Sequence, residues 1–262
     1  MPEITDQEYL LTQQYRDGSN LRARISLYRY GTNPRGWQQW MFDHYTLPAD
    51  ARILEIGCGP GILWRANQER IPAGWSITLT DLSPGMIAEA RMALQADARF
   101  AFVECDAQVL PFAEAEFDAV IANHMLYHVP DRARALREVR RVLRTGGRFY
   151  ASANGSGHLQ GLRDLLHEFD PALQFSWGRE PFNLDESRDE LTALFNSVTI
   201  DRYSDTLIVP EAQPLMDYGL SSRFATALSR ERGQTLHEFI ERRLILHGPI
   251  RIGTDAGLFE AF

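Results

Sequence analysis

The sequence contains no lysine: all 27 of the basic residues in its 262 positions are arginine. That excludes a Walker A phosphate-binding lysine, a Schiff-base lysine and a lysine general base. Cysteine is scarce too. The two present, Cys58 and Cys105, show no C-x-x-C spacing, and Cys58 sits inside a glycine loop where a disulfide is hard to accommodate. Two reduced thiols in a cytoplasmic protein are the expectation. No apolar run approaches the roughly 20 residues of a membrane span, and the opening Met1-Pro2-Glu3-Ile4-Thr5-Asp6 is acidic rather than signal-like. Excess positive charge is also missing. With 35 acidic residues the formal net charge is −8, so long nucleic acid, which selects for a basic face, is not the expected partner.

What is present is an ordinary folded composition, 44% hydrophobic and 24% charged, in a length suited to one α/β domain with elaborations. Three zones follow one another. Residues 1–47 are polar with irregularly spaced aromatics, and their pieces Gln7 to Arg16 and Asn20 to Tyr30 are predicted helical. A turn at Asn33-Pro34-Arg35-Gly36 leads into another helix. Residues 51–153 alternate short apolar runs with amphipathic stretches, the mark of βαβ units and a parallel sheet. Strands are predicted at Arg52–Ile56, Ile77–Asp81, Phe100–Val103, Phe117–Ala122 and Arg148–Ser152. Ser83-Pro84 opens one intervening helix as an N-cap followed by a first-turn proline. The helix Asp131 to Arg144 is predicted to stop at Gly146-Gly147. Residues 154–262 are less regular, with a strand from Val198 to Val209, helices between Glu211 and His247, and an antiparallel ending whose last strand is placed at Gly257–Phe262.

The strongest chemical signal is Leu54-Glu55-Ile56-Gly57-Cys58-Gly59-Pro60-Gly61, set between a strand and a helix. Alternating glycines let the backbone turn tightly and approach a ligand at the positive start of the next helix. The dinucleotide fingerprint G-x-G-x-x-G is not met, because Ile62 stands at its third glycine. A carboxylate at Glu55 suits an ammonium group and repels a pyrophosphate. Asp81 ends the second strand about twenty residues further on, where nucleoside-binding sheets keep an acid for ribose hydroxyls.

With these residues in order, the chain resembles the class I methyltransferases that use S-adenosylmethionine (SAM), in their small-molecule branch called type 11. The likeness is carried by Ile53 to Gly61, Leu79 to Ser83, Glu104 to Phe112, Phe117 to Asp131 and Leu136 to Gly147. It spans roughly Ala51 to Ser152; the outer zones share only the general plan. The resemblance implies a doubly wound, Rossmann-like α/β fold: a seven-stranded mixed sheet with strand seven antiparallel, an N-terminal helical cap and a C-terminal helical insertion. It implies a single domain, with 1–47 as a lid, 51–153 as the SAM-binding core and 154–262 as the acceptor-side cap. By the same resemblance Glu55, Gly57, Gly59 and Gly61 line the methionine part of SAM, with Cys58 as a small filler beside them. Asp81 holds the ribose, Leu82 and Met86 pack near the adenine, and Asp106, Ala107 and Gln108 meet its amino edge. Asn123 faces the methionine moiety, and Tyr15 closes over the cofactor.

The implied function is methyl transfer from SAM to a small-molecule acceptor, leaving S-adenosylhomocysteine (SAH); oxygen, nitrogen and carbon nucleophiles all stay open. His124 and His128 lie just past strand four, where ligands bind in open α/β sheets. Either is a candidate general base or a plain pocket wall. A zinc reading of this H-x-x-x-H finds no third ligand, and no metal is expected. Tyr15, Tyr28, Trp37, Trp40 and Trp177 are candidates for the lid and acceptor pocket. A homodimer is compatible with the sequence; a membrane partner is not expected. The rivals are an RNA or protein methyltransferase, disfavoured by charge, and a non-catalytic SAM-binding protein. A nicotinamide oxidoreductase conflicts with both Glu55 and Ile62.

Overall fold

A computed structural model describes residues 3–172, 180–221 and 230–262; Trp177 lies outside them. Its strands are β1 (Arg52–Ile56), β2 (Ser76–Asp81), β3 (Phe100–Glu104), β4 (Phe117–Asn123), β5 (Leu143–Asn154), β6 (Val198–Val209) and β7 (Ile250–Ala261). They form one sheet in the order β3-β2-β1-β4-β5-β7-β6. The pairs β1 with β2, β1 with β4, β2 with β3 and β4 with β5 are parallel, and β7 runs antiparallel to both β5 and β6. This is the seven-stranded mixed sheet the sequence implied, with order reversing between β1 and β4. Ligands settle at such a switch point, outside the carboxyl ends of the strands.

Both faces of the sheet are covered, which is why its central strands read as unbroken apolar runs. Successive residues point to opposite sides. Leu54, Ile56, Val120, Ala122, Phe149 and Ala151 enter one core with α6 (Arg132–Val142). Ile53, Ala119, Ile121 and Tyr150 enter the other, with α3 (Trp37–Asp43), α4 (Ile62–Ala66) and α5 (Pro84–Leu94). A third apolar cluster joins α2 (Ser19–Leu27), α7 (Gln160–Phe169) and α9 (Gln213–Leu220) to the outer ends of β6 and β7, through Leu27, Leu162, Leu207, Leu215 and Ile252. Among the described residues no helix is long and apolar enough to cross a membrane.

Three boundaries differ from expectation. The first predicted helix is a single α turn, Gln7–Tyr9, continued by a π-helical turn over Leu10–Gln14; it stops before Tyr15 and frees that residue to face the sheet. Helix α6 ends at Val142, because Leu143 is already extended and pairs with Phe117. Gly146, at φ +77°, therefore serves a bulge inside β5 and not a helix cap. Strand β7 is twice the expected length: twelve residues pair with β6 from Val198↔Ala261 to Val209↔Ile250, making a long hairpin arm.

Candidate functional site

At the carboxyl end of the sheet lies a cavity of about 760 Å³. The loop after β1 forms one wall. Gly57, Gly59 and Gly61 all take positive φ, at 65°, 55° and 73°, a region other residues enter at a cost. A Cβ on Gly57 would sit 2.7 Å from Cβ of Met125, so this glycine is required by space as well as by torsion. The loop is tied to β2: Cys58 N–H donates to the Thr80 carbonyl at 2.9 Å, and Gly59 N–H donates to Asp81 Oδ2 at 2.9 Å. Gly57, Cys58 and Gly59 line the cavity, whereas Gly61 does not. It is constrained by packing, since a Cβ there would meet Leu94 of α5 at 2.9 Å. Burial pushes the Cys58 thiol up, so it stays protonated.

Glu55 stands at the floor, 2% exposed. Its Oε2 accepts from Trp64 Nε1 at 2.5 Å and its Oε1 from Asn123 Nδ2 at 2.9 Å. Burial pushes its carboxyl up to about 7, against the pull of those two donors and with the help of Asp81. Asn123 keeps Oδ1 buried and without a hydrogen-bond partner. A carboxylate and an amide oxygen side by side, with no cation beside them among the described residues and the Tyr45 phenol next to Asn123, are chemically suited to an ammonium group. Asp81 Oδ1 accepts from Ser83 N–H at 2.8 Å. Burial raises its pKa, opposed by the N–H groups of Ser83, Gly59 and Leu82. Leu82 and Met86 line the cavity beside it, and Ser83 caps α5 through the Met86 N–H at 3.2 Å.

Asp106 and Ala107 line the next stretch of wall. Gln108 does not reach the cavity; it holds Asp106, donating from its side chain to Oδ1 at 3.0 Å and Oδ2 at 2.8 Å. Burial works against the Asp106 carboxylate, but the N–H and side chain of Gln108 and the amide of Gln7 outweigh it and keep it below its ordinary range. The Gln7 contact, 3.1 Å from Asp106 Oδ2, brings the N-terminal segment over this end. Tyr15 joins it there: its carbonyl accepts from Ser83 Oγ at 2.7 Å.

The two histidines of the sequence separate. His128 is engaged on both nitrogens, with Nδ1 2.9 Å from the Ile4 carbonyl and Nε2 2.9 Å from Tyr15 Oη. The carbonyl requires Nδ1 to carry the proton, so Nε2 accepts from the phenol. His124, at φ +49°, is anchored by its backbone N–H on Ser152 and turns its ring to the cavity beside Trp37. The imidazole makes no hydrogen bond among the described residues. Burial pushes it down to about 4, so it is neutral at physiological pH. Tyr28 and Trp37 line the cavity as expected, but Trp40 stacks behind Trp37 instead.

Sequence reasoning missed several members of this site. His158 Nε2 lies 2.9 Å from Tyr28 Oη, and its Nδ1 lies 3.0 Å from the Asp255 carbonyl and 3.3 Å from the Asp255 N–H; its position just past β5 was the available signal. Trp64, Gln7 and Arg24 carried no signal in their sequence spacing. Among the described residues no group of His, Cys, Asp and Glu converges as a metal site.

Fold and site together define the class I methyltransferase architecture. Residues 54–151 match the family model described as a methyltransferase domain. It is 32% identical over 168 residues to malonyl-[acyl-carrier protein] O-methyltransferase of Enterobacter lignolyticus, covering 63% of this chain and 61% of the relative. It is 33% identical over 116 residues to the ubiquinone/menaquinone biosynthesis C-methyltransferase UbiE of Xylella fastidiosa, covering 43% and 46%. The chain thus spans about half to three fifths of the curated relatives it matches. Phosphoethanolamine N-methyltransferase 2 of Haemonchus contortus, solved with S-adenosyl-L-methionine, superposes on the whole of this chain and 60% of its own at a TM-score of 0.60 and 19% identity, a likeness of fold.

Proposed function

We propose that the chain is a SAM-dependent methyltransferase acting on a small-molecule acceptor. The observation that carries this reading is the Glu55–Asn123 pair beneath the glycine loop. A buried carboxylate held near neutrality and an unused amide oxygen fit the methionine ammonium, while Asp81 and Asp106 stand where ribose and an adenine amino group need acceptors. Gly57, Cys58 and Gly59 give the chain its close approach, with Leu82, Met86 and Ala107 as apolar walls and Tyr15 over the top. When bound, SAM supplies an electrophilic methyl group.

The protein's own contribution is placement and proton handling. The cavity walls fix the acceptor in line with the methyl group, the largest effect available to a transfer of this kind. His124, neutral and without a hydrogen-bond partner among the described residues, accepts the proton that leaves the acceptor's nucleophilic atom. His128 holds Tyr15 and the N-terminal segment in place. The cavity, at about 760 Å³, is of the size that encloses a cofactor moiety with a small metabolite, not a polymer strand.

The test is to incubate the protein with methyl-labelled SAM and a fractionated cell extract. Label should enter compounds under about 1 kDa, the drug-sized range such pockets enclose. Label confined to RNA or protein would replace the acceptor class. No label in any fraction, with SAM bound, would leave a binding protein without turnover.

A further inference from the structure

We propose that the acceptor carries a carboxylate and that Arg24 receives it. This rests on the methyltransferase reading of the cavity and adds the chemical class of its second ligand. Arg24 lies on α2 one turn after Leu21, whose Cδ2 is 3.6 Å from a Cβ built on Gly59. The helix therefore crosses the glycine loop, and Arg24 lines the same cavity. Its Nη1 donates weakly to Tyr15 Oη at 3.4 Å. Its Nε and Nη2 are shut from water and meet no hydrogen-bond acceptor. No carboxylate of the described residues forms an ion pair with it.

This unpartnered edge has a definite chemistry, and because both nitrogens are shut from water a ligand reaches it only with a shift of the side chains that cover it. Nε and Nη2 point the same way, and together they match the two oxygens of a carboxylate. The protein uses this edge elsewhere: Arg132 donates from Nε to Glu190 Oε2 and from Nη2 to Oε1, both at 2.7 Å. At Arg24 the same fork has no partner. A buried guanidinium without a counter-charge is unfavourable, and a ligand carboxylate removes that penalty.

The surroundings place this anion in the acceptor half. The Arg24 guanidinium lies 5.4 Å from the centroid of the Tyr15 ring, and Tyr28, Tyr127 and Tyr218 line the same cavity. Glu180 is the carboxylate on this side of the cavity, felt by Tyr127 and Tyr218. Glu55 is held by Trp64 and Asn123 and Asp81 by Gly59 and Ser83, and neither forms an ion pair with Arg24.

The experiment uses the full chain, with and without SAH, in ligand-observed NMR titrations. The probes are hexanoate, benzoate and phenylacetate, each against its neutral amide, with phenyl phosphate alongside. At least one acid should bind tenfold or more tightly than its amide. Arg24→Gln should erase that preference while the SAH affinity stays within twofold. Arg24→Met, which removes the charge and keeps the apolar stem, should melt no lower than wild type and show the same loss. The proposal is overturned if no acid is preferred over its amide, if the preference survives in R24Q, or if R24Q weakens SAH instead. Preference for phenyl phosphate over every acid would overturn the carboxylate assignment. Failure of wild type to bind SAH would count against the methyltransferase reading alone; the acid–amide comparison on ligand-free protein still decides Arg24.

Discussion

Replacing Glu55 by glutamine should stabilise the ligand-free protein and weaken its hold on the cofactor, both by amounts the structure sets. The carboxyl is buried, and its pKa lies at about 7 against an ordinary 4.5. Below pH 4.5 it is protonated in folded and unfolded chains alike and costs nothing. As pH rises from 4.5 to about 7 the unfolded chain ionises while the fold retains the proton, so stability falls; above 7 the loss is complete. At 1.36 kcal/mol per pH unit the interval is worth about 3 kcal/mol. The glutamine of E55Q escapes this penalty. It keeps one oxygen for the Trp64 N–H, and its new NH2 group finds an acceptor if Asn123 turns its unused Oδ1 inward. Denaturant melts at pH 8 should show E55Q more stable by up to about 3 kcal/mol, shrinking toward zero at pH 5. Calorimetry should show SAH binding weakened roughly 10- to 100-fold, the loss of one buried charge-assisted contact, with methylthioadenosine, which lacks the ammonium, unchanged. Wild type should release a proton on binding SAH near pH 7, because the ammonium lowers the Glu55 pKa. Equal stabilities at pH 5 and 8, or equal losses for the two ligands, would refute the assignment of Glu55 to the ammonium.

Two further outcomes follow from the loop and the cavity. Gly57→Ala should cost about 2–5 kcal/mol, from a left-handed alanine and a clash with Met125, and lower the melting temperature by roughly 5–20 °C. Gly146→Ala, with a similar φ and open space around it, should lose only the torsional part; calorimetric melts of the two separate clash from strain. His124→Asn should lower kcat about 100-fold or more with SAM affinity unchanged, while an equal loss in SAM binding would make it a pocket wall.

The part of the cavity built on β1 and β2 was legible because it is local. Glu55, the glycines and Asp81 occupy strand ends whose apolar runs and turns are written in consecutive residues, and the strand order brings those ends together by topology alone. The rest of the cavity depends on pairs far apart in sequence. Tyr28 meets His158 across 130 positions and Gln7 closes on Asp106 across 99, and no periodicity encodes such encounters. Arg24 reads as one more solvated arginine on a helix of mixed polarity; only the fold shows that its neighbours are phenols. Gly61 carries a second constraint that its spacing did not reveal: its left-handed torsion and lack of a Cβ serve the packing of α4 on α5.

The most direct test of the central claim is calorimetric titration of SAM, SAH and NADH into wild type and Asp81→Ala. The account predicts micromolar binding of SAM and SAH to wild type, a loss of about 100-fold or more in the variant from two missing ribose contacts, and no binding of NADH. Folded wild-type protein that binds neither adenosyl ligand, or binds NADH as tightly, would contradict it.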